Sequence, residues 1–143
     1  MDGFDMTGRI IVSAVEPDMA FGIWSRVKDM IDTGYAVGDD FMPEDILERV
    51  RYGKVLLWVA IDQEDGEIVA AMTTELVPMR SGLVCWMCQC GGKRLGEWWQ
   101  FHKKIEQYAK AEGCVKVVLR GRPGWERVLD GFKRTSVTLE KML

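Results

Sequence analysis

Apolar residues recur along this chain with two different periods, and the places where the period changes mark the elements. Arg9 to Val15 (RIIVSAV) is rich in β-branched residues and is stopped by Glu16-Pro17, which predicts a short strand ending in a turn. From Pro17-Asp18 onward, Ala20, Ile23, Trp24, Val27, Met30 and Ile31 return at intervals of three and four. That is the period of an amphipathic helix, and Gly34 stands where a C-cap glycine belongs. Pro43 suits a first helical turn and opens a second, short helix. Ile46, Leu47 and Val50 form its apolar stripe and Gly53 closes it.

The pattern then turns to strands. Lys54 to Ile61 (KVLLWVAI) is nearly all apolar, and Asp62-Gln63-Glu64-Asp65-Gly66 supplies turn residues before a return strand from about Glu67 to Pro78. After Met79-Arg80-Ser81-Gly82 a third strand runs from Leu83 to about Cys90, so the three form an antiparallel meander. At Gly91-Gly92 the period becomes helical again. Trp98, Phe101, Ile105 and Tyr108 lie on one face of the longest helix, which ends at Gly113. Cys114 to Leu119 (CVKVVL) reads as a buried strand, and a strand, helix, strand succession predicts a right-handed crossover with the two strands parallel. A short helix from about Pro123 to Asp130 and a strand from about Phe132 to Leu139 complete the order β-α-α-β-β-β-α-β-α-β. The fold class is α/β (α+β), a mixed, mostly antiparallel sheet flanked by helices.

Composition narrows the function classes. With 143 residues, 48% of them hydrophobic, no internal repeat and no Pro- or Ser-rich linker, the chain reads as a single domain over residues 1–143. A net charge of −3 lacks the positive field that attracts a phosphate backbone, which disfavours general nucleic-acid binding. No apolar run reaches the roughly 18 to 20 residues that span a bilayer, and MDGFDMTGR is no basic leader. These features predict a soluble, intracellular, cytoplasmic protein with no membrane partner. Cys85, Cys88 and Cys90 crowd together with Cys114 elsewhere. On a regular strand Cys85 and Cys88 face opposite sides while Cys88 and Cys90 share one, which is not the tight turn a zinc knuckle uses. Reduced thiols serving as small core residues, with no metal, are the expectation.

The element order from Arg9 to Leu139 resembles that of the GNAT acetyltransferase superfamily, whose members bind acetyl-coenzyme A and transfer its acetyl group to an amine. In that family the loop between the fourth strand and the long helix wraps the cofactor pyrophosphate with the pattern Gln or Arg, two residues, Gly, one residue, Gly or Ala. The matching stretch is Gln89-Cys90-Gly91-Gly92-Lys93-Arg94-Leu95-Gly96, in which Gln89 and Gly92 are present and Arg94 replaces the second small residue. The resemblance thus implies acetyl-CoA as cofactor, held by these eight residues and by Arg122, which follows the fifth strand. The physics agrees with the assignment: the first amides of a helix lack internal partners and carry the positive end of its dipole. Glycines at 91, 92 and 96 permit close approach. Lys93 and Arg94 either add charge to those amides or, for Arg94, occupy the place of the pyrophosphate, and the sequence leaves both open. Gly121 to Phe132 looks like the family's last helix and the Gly-Phe before its final strand. The short chain, the altered phosphate loop and the GRPGW segment also look similar to small GNAT-like proteins encoded by bacteriophages, some of them virion-associated.

Amide formation needs a base to deprotonate the amine and a proton for the departing thiolate. The strand Leu83 to Cys90 holds no Asp or Glu, and Pro123 to Phe132 holds no tyrosine, so two of the family's usual players are missing. Glu75, on the return strand, is the remaining candidate base, with a solvent-facing role as the alternative. Tyr35 and Tyr52 lie near the region that forms the family's acceptor site, where a small-molecule or peptide amine is expected. His102 is read as a partly exposed helix residue, and Trp98-Trp99 as one core residue and one exposed residue suited to a homodimer or assembly contact. Two functions follow: an acyl-CoA-dependent N-acetyltransferase, or a GNAT-like scaffold kept as a binding or structural module after catalysis was lost.

Overall fold

The β-branched runs pair into a five-stranded sheet of order β1-β2-β3-β4-β5, described here by a computed structural model. The structure describes residues 9–33, 43–94, 101–119, 127, 129–137 and 139–143. The strands are β1 (Ile10–Val15), β2 (Leu56–Asp62), β3 (Ile68–Met79), β4 (Gly82–Gly92) and β5 (Lys116–Leu119). The first three junctions are antiparallel and the last is parallel, as the crossover rule predicts for strands joined through a helix. Helices α1 (Pro17–Thr33) and α2 (Pro43–Arg51) join β1 to β2, and α3 (Phe101–Ala111) lies between β4 and β5. The architecture is the expected mixed α/β sheet flanked by helices.

The helices divide the sheet into two faces, each with its own core. On one, Phe101, Ile105 and Ala109 of α3 pack against Trp58, Met72, Cys85 and Met87. On the other, Ala20, Trp24, Val27 and Ile31 of α1 and Ile46 and Val50 of α2 pack against Leu57, Val59 and Ala71. Spacings of three and four put these helical residues on one stripe, which is why their pattern was legible. Each fully buried side chain of this size stabilises the fold by about 1.5–3 kcal/mol relative to its exposed state. Trp58 joins the layers on its side of the sheet: its Nε1 donates to Thr74 Oγ1 at 3.0 Å, and its ring meets Tyr108 edge-on at 5.3 Å between centroids.

Two register shifts bend the sheet. Val69 is the extra residue in β3 beside Ala60 and Ile61, and Cys88 is the extra residue in β4 between the pairs Thr73↔Gln89 and Thr74↔Met87. A bulge of this kind adds local twist and re-aims every side chain beyond it. Past Cys88 the alternation is inverted, so Cys90 packs on the α3 face with Cys85 and Met87, while Gly91 abuts α1. Regular alternation had put Cys88 and Cys90 on one side; the bulge at Cys88 removes that regularity.

Residues 132–137 and 139–143 carry no regular secondary structure, where the sequence predicts a last strand. A strand exists only on a partner edge, and Phe132-Lys133-Arg134-Thr135-Ser136-Val137 has β-forming residues but few apolar ones to draw it there. Val137 and Leu139 are exposed. The short helix expected from about Pro123 to Asp130 falls almost wholly outside the described residues. No helix among the described residues is long and apolar enough to cross a membrane.

Candidate functional site

The parallel β4–β5 pair gives the sheet a feature that its antiparallel part lacks: two adjacent strands whose carboxyl ends point the same way. Crevices at such ends are where open α/β sheets bind ligands. Here pairing runs from Val84↔Lys116 to Met87↔Leu119, after which β4 continues along β3 from Cys88 to Gly92. The Cys88 bulge follows directly on the last described pair, so β4 bends just beyond Met87.

Most of the residues assigned to the cofactor loop are placed on this end of β4 and just beyond it, and each has a defined local partner. Gln89 is buried opposite Thr73; the Thr73 hydroxyl donates to Gln89 Oε1, and the Gln89 backbone N–H donates to Thr73 Oγ1 at 3.2 Å. A buried amide side chain is retained only where such bonds repay its desolvation. Cys90 turns into the α3-side core, and burial pushes its thiol up. The close approaches at Gly91 and Gly92 are to the protein itself. A Cβ at Gly91 would lie 2.0 Å from the Met30 carbonyl oxygen of α1, and one at Gly92 would lie 2.4 Å from the Val69 oxygen and 2.6 Å from the Ala70 Cα. Any side chain at Gly92 therefore disturbs the sheet before it can report on a ligand.

Lys93 and Arg94 are fastened to the β2–β3 turn. The Lys93 amide donates to the Val69 carbonyl at 2.9 Å, and its ammonium pairs with Glu67. Arg94 adopts φ 61°, the left-handed region, and its Nη2 lies 3.0 Å from Asp62 Oδ2. Asp62 is fully buried and also accepts from Arg9, through Nε at 2.8 Å and Nη2 at 2.6 Å, while its Oδ1 accepts the Glu64 amide at 2.9 Å. The Arg9 hydrogen bond, outweighing burial, holds the Asp62 carboxyl well below the usual carboxylate range. Leu95, Gly96 and Arg122 lie outside the described residues, as do Trp98, Trp99 and Tyr35.

Glu75 stands opposite Trp86 on the face that carries α1 and α2, and Trp86 in turn pairs with Val118 of β5. Its Oε1 accepts from Arg49 Nη2 of α2 at 2.7 Å, and both side chains are about a quarter exposed, at 27% and 28%. Solvent thus reaches a carboxylate anchored at one oxygen. Tyr52, just beyond α2, is 74% exposed. His102 is buried at 1% exposure, contrary to its predicted partly exposed position. Phe132, thirty residues away in sequence, covers it edge-on at 5.9 Å, a contact that no local pattern encodes.

The thiols sit in apolar surroundings. Burial pushes Cys85 up to about 12 and raises Cys114 as well, which disfavours the thiolate form that acts as a nucleophile. Among the described residues no group of three or more His, Cys, Asp or Glu side chains converges to hold a metal ion. In the native protein at pH 8, Cys85 should resist iodoacetamide and react fully once the chain is unfolded, as read by mass spectrometry. Rapid native labelling of Cys85 would contradict its burial.

Sequence reasoning missed Asp62, Arg49 and Thr73. Asp62 was visible only as the first residue of a turn, because nothing local marks a partner thirty-two positions ahead.

Among the described residues one parallel pair, joined through a helix, completes an otherwise antiparallel sheet with a glycine-rich end to its fourth strand, the arrangement of the GNAT fold. Comparison with solved structures agrees over nearly the whole chain. An aminoglycoside acetyltransferase from an uncultured soil metagenomic sample, solved with trehalose, superposes with a TM-score of 0.72 at 9% identity, covering 96% of this chain and 99% of that one. A GNAT family acetyltransferase from Staphylococcus aureus gives 0.65 at 12% identity, covering 94% and 99%. AAC(6')-Iy, in complex with the bisubstrate analogue CoA-S-monomethyl-acetylneamine, gives 0.66 at 10% identity, covering 94% and 97%. No protein-family model and no curated protein matches the sequence. The likeness is one of fold, at identities too low to transfer a substrate.

Proposed function

We propose that the chain is an N-acetyltransferase that takes its acyl group from acetyl-CoA and delivers it to a small-molecule or peptide amine. The observation that carries this reading is the parallel pairing of β4 with β5 beside a β4 that runs on past the bulge at Cys88 to Gly92. It supplies an extended strand end beside a crossover helix, the setting in which a long, amide-bearing cofactor lies against backbone. The similar fold of an enzyme solved with a CoA-containing bisubstrate analogue supports it.

When bound, acetyl-CoA supplies the acetyl group as a thioester. Gln89, Cys90, Gly91, Gly92, Lys93, Arg94, Leu95, Gly96 and Arg122 form the stretch and the loop residue that would hold it. Gln89 and the two glycines act through the shape they give β4 and its exit. Glu75 is the base: Arg49 fixes Oε1, and Oε2 would take the proton from the incoming ammonium, freeing the amine for an amide bond that forms as the thioester C–S bond breaks, with the departing thiolate protonated from solvent. A solvent-accessible carboxylate can pass that proton on to water.

Calorimetry with acetyl-CoA tests the first half and should give a dissociation constant in the micromolar range. Glu75→Gln should lower turnover by about a hundredfold, read as thiol release with a panel of amines, while acetyl-CoA still binds. Unchanged turnover removes Glu75 as base. A folded protein that takes up no acetyl-CoA is instead a GNAT scaffold serving another role.

A further inference from the structure

We propose that the tail beyond Phe132 is the strand that covers the open edge of β5 in a second copy of the chain, each protomer lending its tail to the other. The inference is independent of the acetyl-CoA reading. β5 ends the sheet order, and no strand among the described residues pairs with its far side. The Val115 amide donates to the Leu83 carbonyl at 2.8 Å, so by alternation the backbone groups of Val117 and Leu119 also turn to β4, and those of Lys116 and Val118 turn outward. Outward N–H and C=O groups are a template for one more strand. The edge Lys116-Val117-Val118-Leu119 has no proline, and its one charge stands at its start. Its apolar layer is incomplete as well: Val117 and Leu119 pack against the α3-side core yet stay only partly buried.

The same chain carries a strand pattern with no edge to occupy. Phe132 is held where it covers His102 near the start of α3, and from Lys133 on every described residue is exposed and outside regular secondary structure. In Thr135-Ser136-Val137-Thr138-Leu139-Glu140 apolar and polar residues alternate from Ser136 on, the pattern of a strand buried on one face only. Yet Val137 is 68% and Leu139 89% exposed. Alternation puts these two on one side of a strand, as it puts Val117 and Leu119 on one side of β5, so a paired tail extends the apolar layer under α3. Laid straight, the residues beyond Phe132 reach about 35 Å, enough to cross to a neighbouring molecule. A second copy supplies both halves of the contact. It offers an open β5 to the tail it receives and a tail to the β5 it faces, so a two-fold pair closes both edges and leaves neither to recruit a third chain.

Light scattering on the full chain at rising concentration reads the assembly directly. Wild type should reach twice the protomer mass of 16.3 kDa. Ser136→Pro combined with Val137→Pro tests the tail: neighbouring residues point opposite ways along a strand, so one of the two prolines removes a ladder donor in any register. Both positions are exposed, so the protomer should still fold, as read by circular dichroism, while dimerisation weakens about a hundredfold. Phe21→Ser, which removes a 70% exposed ring from α1, should leave the dimer unchanged. Hydrogen exchange identifies the occupant: the amides of Val117 to Leu119 and of the tail should be protected together in the dimer, and those of the tail should lose protection on dilution to monomer. A wild-type chain that stays monomeric overturns the proposal, whether its tail exchanges freely or is protected on its own β5. A dimer that the proline variant keeps overturns it too, as does one that Phe21→Ser dissociates.

Discussion

Gly91→Ala should cost about 3 kcal/mol or more, lowering the melting temperature by about 10 °C or leaving the protein insoluble. The added methyl would sit 2.0 Å from the Met30 carbonyl oxygen and 3.0 Å from its carbon. Neither is the end of a flexible side chain. Relief requires α1 to move off β4, and α1 carries Val27 and Ile31, which have no exposed surface. Gly22→Ala is the control with the opposite sign. Its added methyl meets nothing within 4 Å on the exposed side of α1, and alanine favours a helix interior over glycine by about 0.5–1 kcal/mol. Thermal unfolding followed by circular dichroism reads both. An unchanged midpoint for Gly91→Ala would mean that α1 does not lie on β4 as described.

Asp62→Asn should lower stability markedly at pH 7, and its deficit should shrink on acidification. The sign follows from the direction of the shift: the folded carboxyl is held below its ordinary range, chiefly by Arg9. Such a group contributes fully above the unfolded value, near 4, and loses its contribution as pH falls from there through the folded value. The asparagine variant has no such proton to take up, and at neutral pH it leaves Arg9 and Arg94 around a buried amide without counter-charge. Melting temperatures measured from pH 7 to pH 2.5 should converge below about pH 4. A constant gap across that range would show that the Asp62 charge contributes nothing to the fold.

Element order through the fifth strand was readable because it depends on spacing within single segments. Val27 and Ile31, or Ile105 and Ala109, announce a buried stripe whatever lies opposite. The parallel pairing of β5 was readable too, since chirality of the crossover leaves little choice. What stayed hidden depends on pairs distant in sequence. The bulge at Cys88 exists only relative to Thr73 and Thr74 on the neighbouring strand, so Cys88-Gln89-Cys90 looked like regular alternation. Gly91 and Gly92 were read as room for a ligand, whereas the space they save is taken by α1 and β3. For Arg94 the sequence offered two destinations, the phosphates or their place; the structure shows a third, because Asp62 had drawn notice only as a turn residue.

The β2–β3 connection acquires an unusual constraint from these contacts. Hairpin tips are ordinarily where a protein absorbs insertions and deletions without penalty. Between β3 and β4, Arg80 and Ser81 form such a tip, both exposed. From Asp62 to Glu67, in contrast, Asp62, Glu64 and Glu67 hold Arg9, Arg94 and Lys93 at fixed separations. Adding or removing one residue there would throw those acids out of step with the strand exit two strands away, so a surface loop of ordinary appearance has its length set as strictly as that of a core strand.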